Sequence, residues 1–222
     1  MLLAVDTSTS WIGLALYDGL RVLGEMTWQA KNHHTVELSP GIQELMQRCS
    51  VRTIDLQALG VAIGPGSFTS LRIGLAMVKG MALALRIPVV GVPSLDALVA
   101  AQPVQHSQLA AVLQAGRGRL ALVWYDALEG KWVARGEPQI TTADELVQQI
   151  SKPTLVVGEL DAEERQTIQR RYRNAIVVSP AQSLRRPSYL AEIAWERWQA
   201  GSVDDAVSLA PIYLHVAGAI PA

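Results

Sequence analysis

Leu59-Gly-Val-Ala-Ile-Gly-Pro-Gly-Ser-Phe-Thr-Ser-Leu-Arg-Ile-Gly-Leu-Ala-Met-Val-Lys-Gly-Met-Ala-Leu-Ala-Leu85 is the stretch on which the reading of this chain turns. Leu59 to Ile63 is short, apolar and closed by glycine, as a buried strand is. Gly64-Pro65-Gly66 breaks both periods, because proline fixes φ and glycine permits φ > 0 and close backbone approach. Ser67 or Thr69 can then cap a helix whose first N–H groups lack partners. The spacing predicts a helix to about Arg86, since Pro88 cannot continue it.

This helix carries very little polarity. Leu71, Leu75, Val78, Ala82 and Leu85 form one apolar stripe, enough to cover a sheet. Ile73, Met77, Met81 and Ala84 form a second, beside Gly74 and Gly80. Between Leu71 and Leu85 only Arg72 and Lys79 are charged. A helix apolar almost all round is buried on both sides, so either another part of this chain or a partner chain must cover it. Gly74 and Gly80 would let a second helix approach to roughly 8 Å between axes.

The chain has 222 residues, which suits one large domain or two of ordinary size. Half of it is hydrophobic, so a substantial core is available. With 19 basic and 20 acidic residues the net charge is −1, which argues against wholesale electrostatic binding of nucleic acid. Cys49 is the single cysteine, leaving no intramolecular disulfide and no cysteine cluster for zinc; a cytoplasmic setting fits. The N-terminus has no basic segment ahead of an apolar run, so no signal peptide is expected, and no uninterrupted apolar run reaches the length of a membrane span.

Outward from the central stretch the elements alternate. Leu2–Val5, Trp11–Tyr17 and Val22–Trp28 read as strands, the first followed by the polar turn Asp6-Thr7-Ser8-Thr9-Ser10. A helix follows with Leu38, Ile42, Leu45, Met46 and Cys49 on one face. Pro40 sits either in its first turn behind a Ser39 cap or inside a longer helix begun near Thr35. Val89–Val92 is a further strand, and Ser94 is expected to cap a helix from Leu95 to about Ala101. Gln102 to Gln108 is the expected linker. The order then restarts: strands at Leu109–Leu113, Leu120–Tyr125 and Trp132–Gln139, and a capping box of Thr142 and Glu145 before a helix to Ile150. A strand at Thr154–Val157, a charged helix at Ala162–Arg173, a strand at Ala175–Val178 and a helix from Leu184 or Ser188 to Ala200 complete it. Each half thus reads as three strands followed by helix–strand–helix–strand–helix, a mixed sheet covered on its faces.

Gly64-Pro65-Gly66-Ser67-Phe68-Thr69-Ser70-Leu71-Arg72-Ile73-Gly74 strongly resembles the signature of the TsaB family, a subunit of the bacterial tRNA threonylcarbamoyladenosine synthesis machinery. Asp6-Thr7-Ser8-Thr9, His34 to Pro40, Val90-Gly91-Val92-Pro93-Ser94-Leu95 and Pro211-Ile212-Tyr213-Leu214 are similar to that family in the same order. The resemblance is dense over residues 1–100 and thin beyond. It implies an α/β, actin/Hsp70/sugar-kinase-like (ASKHA) fold of two βββαβαβα-type halves: an N-terminal subdomain, 1–103, carrying the partner interface, and a C-terminal subdomain, 104–222. It also implies a non-catalytic role without a cofactor, in which the chain pairs with a TsaD homologue that holds the metal and transfers the threonylcarbamoyl group. The TsaE ATPase docks on that pair, and the chain alone forms a homodimer. Transfer RNA is reached only through the complex, and no membrane is involved. The interface residues implied are His34, Leu38 and Ile42 on the first helix, with Leu71, Ile73, Gly74, Met77, Gly80, Met81 and Ala84 on the second.

Departures from the family pattern concentrate in the second half. Serine stands at Ser70 in place of a common glycine. Gln114-Ala115-Gly116-Arg117-Gly118-Arg119 replaces an Asp-Ala-Arg segment, Gly158-Glu159-Leu160 replaces Gly-x-Gly, and His215 stands where arginine is usual.

Other chemistry can be read into the sequence. Asp6, Thr7 and Ser8 sit where nucleotide-binding members of the fold cradle phosphate, so a stand-alone actin-fold phosphotransferase is the alternative function. A homodimer regulating something unrelated is a third reading. Gly64-Pro65-Gly66-Ser67 could hold an anion at a helix start but lacks the Gly-Lys-Ser/Thr ending of a P-loop, and a structural turn is the plainer reading. Ser67 superficially resembles a nucleophile elbow, as the glycoprotease-like label of relatives suggests, without the Gly-x-Ser-x-Gly pattern. His33, His34 and Glu37 diverge on a helix, so no metal is expected. Arg165, Arg170, Arg171, Arg173, Arg185 and Arg186 form the main basic concentration, read as a solvated run or, alternatively, as a weak tRNA backbone contact in the assembled complex. Trp195 and Trp198, three apart, are expected to pack their helix onto a sheet.

Overall fold

Successive side chains along Leu2–Asp6 (β1) point to opposite faces of the first sheet, Leu3 and Val5 to one and Leu2 and Ala4 to the other. The computed structural model describes residues 1–30, 33–104, 108–116, 118–170 and 173–214. Arg117, Arg171, His215 and the middle of the expected linker lie outside them. The chain forms two units, Met1–Ala101 with Arg185–Ile212, and Gln102–Leu184 with Tyr213 and Leu214.

In the first unit the strands run in the order β3-β2-β1-β4-β5, with β2 at Trp11–Tyr17, β3 at Val22–Gln29, β4 at Ala58–Gly64 and β5 at Val89–Pro93. β1, β2 and β3 are antiparallel neighbours, whereas β1, β4 and β5 are parallel, each crossover being supplied by a helix. The large residues Leu3, Val5, Leu14, Leu16, Leu59 and Val61 face α1 (His34–Arg48) and α2 (Phe68–Leu85). The small residues Ala4, Ala15, Ala58 and Ala62 face α6 (Pro187–Gln199), which buries Leu190, Ala191 and Ala194 on them. A Cβ at Gly60 would stand 2.8 Å from that of Ala194, so glycine is what lets α6 lie so near the sheet. Trp195 meets Tyr17 edge-on at 5.6 Å between centroids and Trp198 at 4.9 Å, packing α6 onto this face.

The second unit has the order β11-β10-β6-β7-β8: β6 at Gln108–Gln114, β7 at Leu120–Leu128, β8 at Lys131–Ala134, β10 at Thr154–Gly158 and β11 at Ala175–Val177. A short β9, Gln139–Thr141, also pairs with β7. α4 (Ala143–Gln149) and α5 (Ala162–Gln169) cover one face, burying Leu146 and Ile168 against Ala110, Val112, Leu122 and Val156.

Several local expectations are corrected. Trp132–Gln139 is not one strand: it breaks where Gly136 takes φ 108°, and the remainder pairs separately as β9. Ser94 caps nothing; α3 (Ser94–Ala100) begins on it, preceded by Pro93, and its hydroxyl serves β4 and the β1 turn. α5 stops at Gln169, short of Arg173. Pro40 lies inside α1, the longer of the two alternatives. The last helix of the second half covers the first sheet, burying Leu190, Ala191 and Ala194 on its alanine face, so residues 185–212 belong with the first unit and not with a subdomain running 104–222.

Candidate interaction surface

The signature motifs meet in one polar knot at the C-terminal ends of β1 and β4. Ser67 N–H donates to Ser8 O at 2.6 Å, and a Cβ on Gly66 would fall inside the shell of that same carbonyl. Gly64 holds φ 107°, which glycine adopts freely. Thr7 Oγ1 donates to Ser70 O at 2.7 Å, and the Ser8 and Ser94 hydroxyls are 2.5 Å apart. Gly64 N–H donates to Ser94 Oγ at 3.1 Å. Asp6 accepts from Ser8 N–H and from Arg185 Nε, each at 2.8 Å, and Arg185 also donates to Thr9 Oγ1 at 2.9 Å. The Asp6–Arg185 side chains are 6% and 3% exposed, so the pair is buried. Arg185 therefore leaves the solvated run to which the sequence assigned it. The side chains of Asp6, Thr7 and Ser8, read as a potential phosphate cradle, hold backbone and side chains of this chain together. The signal that could have found Arg185 is Asp6 itself: a carboxylate at the end of a buried strand needs a cation.

α2 grows from this knot. Ser67 is the cap, its hydroxyl accepting from Ser70 N–H and Ser70 Oγ–H, which is the use the structure gives to the serine that looked like a nucleophile. Arg86, at φ 57°, closes the helix in the left-handed conformation. The inner stripe of Leu71, Leu75, Val78 and Ala82 is buried on the sheet, each large side chain contributing about 1.5–3 kcal/mol. α2 is also the one helix among the described residues long and apolar enough, by length and composition, to cross a membrane; a third of it is buried, along the inner face that packs on the sheet.

The ten residues singled out as an interface divide into two groups. Leu38 and Leu71 are fully buried in the unit's own core, and Ile42 nearly so. His34 is 2% exposed, its Nε2 held 2.9 Å from Thr9 O. Gly74 faces inward, where a Cβ would strike the Thr7 side chain. These five pack within the molecule. Gly80 faces outward, with nothing within 4 Å of where its Cβ would be. Ala84 is exposed beside it, as are Ala76 and Leu83, the latter 66% exposed. Ile73, Met77 and Met81 are half-buried shoulders of this ridge. Sequence reasoning missed Ala76 and Leu83, which continue the outward ridge at helical spacing. Between α1 and α2 runs a groove of about 550 Å³, with Ile42, Met46, Met77 and Met81 along it and Gln43, Gln47 and Arg52 at its polar margin. Beside the ridge, Lys79 Nζ donates to Val207 O at 3.1 Å.

In the second unit, Gly158 takes φ 142° and lies against Val112 O too closely for a side chain. Leu160 packs on the apolar core there, and Gln114 Nε2 donates to the Glu164 carboxylate, which also caps α5 with Asp161. Arg165 donates to Val178 O at 2.8 Å, whereas Arg170 and Arg173 are exposed.

A family model described as TsaD, tRNA N6-adenosine threonylcarbamoyltransferase, matches residues 24–183. The tRNA threonylcarbamoyladenosine biosynthesis protein TsaB of Bacillus subtilis is 31% identical over 222 residues, spanning 98% of this chain and 95% of that protein. YeaZ from Pseudomonas aeruginosa superposes with a TM-score of 0.80 at 24% identity, over 96% of this chain and 99% of its own. A ROK hexokinase from Thermus thermophilus superposes with a TM-score of 0.51 at 12% identity, over 90% and 99%. The two structural likenesses show the fold, which is the actin/Hsp70/sugar-kinase-like one.

Proposed function

Because this chain belongs to the TsaB family of tRNA threonylcarbamoyladenosine biosynthesis proteins, we propose that it acts in the cytoplasm as the non-catalytic partner of a TsaD-type transferase, which it binds through the outer face of α2 and the adjoining groove. The observation that carries this reading is the bare apolar ridge Ala76–Gly80–Leu83–Ala84 flanked by Ile73, Met77 and Met81. A ridge of small residues between half-buried methionines accepts a facing helix at short range, and methionine adapts to an uneven partner. A specific interface buries about 1,600 Å² in total, and the groove with the ridge offers a surface for it. Without the transferase the same face closes on a second copy about a two-fold axis, and TsaE docks on the heterodimer. The chain's part in threonylcarbamoyl transfer is to complete and stabilise the transferase.

The test is to mix the chain with the TsaD homologue of its own organism and to follow complex formation by light scattering and tRNA modification by nucleoside analysis. The wild type is expected to form the complex and support modification. Met77→Asp and Gly80→Arg are expected to weaken both self-association and the complex while the monomer stays folded. A variant that associates as fully as the wild type overturns the assignment of this face.

A further inference from the structure

β3 offers a second surface, separate from the α1/α2 face. It pairs only with β2, so the backbone groups along its other edge have no strand beside them among the described residues. The opposite edge of the same sheet is closed: Asp204 N–H donates to Val89 O, and Gly91 N–H donates to the Asp204 carboxylate. An open edge of eight residues is a template for an added strand. It is blunted at one end only, where the register slips between Leu16 and Tyr17 and leaves Leu23 out of the pairing.

A groove of about 610 Å³ runs between β3 and α1. Met26, Trp28 and Pro40 give it an apolar floor, and Val36 stands 66% exposed on its wall. Glu37 and Glu44 line it from α1 and Glu25 borders it from the other face of β3, where its partner Ala15 faces α6, with no lysine or arginine among the lining residues. Each carboxylate has a local contact: Arg186 with Glu25, Trp28 Nε1–H and His33 with Glu37, Arg48 with Glu44. Arg186 and Arg48 stand outside the lining. The Arg48–Glu44 pair is exposed on both sides, and exposed pairs are weak, so a docked cation can share that carboxylate.

We propose that β3 and this groove dock an extended segment of another protein that bears lysine or arginine and adds as a strand along β3. Backbone pairing supplies the affinity, the apolar floor takes the side chains on one face of the added strand, and the carboxylates select positive charge. A second copy of this chain is the poorer occupant. Its β3, Val22–Gln29, carries Glu25 and no lysine or arginine, so a second copy brings the carboxylates no positive charge.

The experiment titrates two labelled ten-residue peptides, alternating Lys–Val and alternating Glu–Val, into the full-length chain and follows anisotropy. The Lys–Val peptide is expected to bind at least tenfold more tightly, to weaken as salt rises, and to slow amide exchange along β3. The double variant Val36→Lys with Glu44→Lys, whose circular dichroism and melting temperature report that it is folded, is expected to lose at least tenfold in affinity. Met77→Asp is expected to bind as the wild type does. Equal binding of both peptides, no binding at millimolar peptide, exchange protection away from β3, or full affinity in the charge-reversed variant overturns the proposal. So does self-association abolished by the double variant, which would make a second copy the occupant.

Discussion

At the scale of single residues the buried Asp6–Arg185 pair ties the β1 turn to the segment that returns from the far end of the chain. Burial pushes the Asp6 carboxyl up, but the Arg185 charge and the Ser8 N–H outweigh it, and the group titrates below the ordinary aspartate range. Since the folded value lies below the unfolded one, about 3.9 for an exposed aspartate, the stabilisation is complete above that pH and is lost as pH falls through the folded value. Urea midpoints are therefore expected to fall on acidification below about pH 4, with a flatter acid limb in Asp6→Asn with Arg185→Met. Arg185→Met alone strands a buried carboxylate and is expected to cost about 3–5 kcal/mol at neutral pH, part of which the double variant recovers. Asp6 was legible as a special residue from its place at a strand end. Its partner was not, because 179 positions separate the two and Arg185 sits beside the exposed Arg186.

At the scale of elements, α2 shows what periodicity can and cannot decide. Its two stripes were readable from spacing alone, and so was its start, since a serine ahead of Phe68 can satisfy the orphan N–H groups. What periodicity left open was the meaning of the two glycines. Gly74 meets Thr7 and Gly80 meets nothing, a difference set by where the β1 turn crosses the helix. Gly74→Ala is expected to destabilise by about 1–3 kcal/mol, as overpacking does. Gly80→Ala, in open space mid-helix, is expected to stabilise the monomer by about 0.5–1 kcal/mol. Thermal melts of the two variants check both signs. The same ambiguity explains why Leu38 and Leu71 were grouped with the ridge: a helix apolar on most sides does not declare in its sequence which side the sheet has taken.

At the scale of the whole molecule, element order was legible except where Gly136 splits one expected strand into β8 and β9, because elsewhere strand and helix periods alternate and turn residues mark their ends. The assignment of the last helix was not. Leu190, Ala191 and Ala194 suit any small-residue face, and the choice of the first sheet depends on Ala4, Ala15, Gly60 and Ala62 lying side by side only once that sheet has formed. A fragment ending at residue 103 lacks α6 and leaves this face bare. It is expected to be aggregated or unfolded by circular dichroism, whereas co-expression with residues 185–212 is expected to restore a soluble, cooperatively melting species.

That return sets a timetable for synthesis. A ribosome delivers the leading strands early but releases the segment that roofs their alanine side only after residues 102–184 have been made. At cellular elongation speeds the interval is on the order of ten seconds. Throughout it the newborn front half waits unfinished, and a chaperone that shelters greasy sheets has its natural opening there.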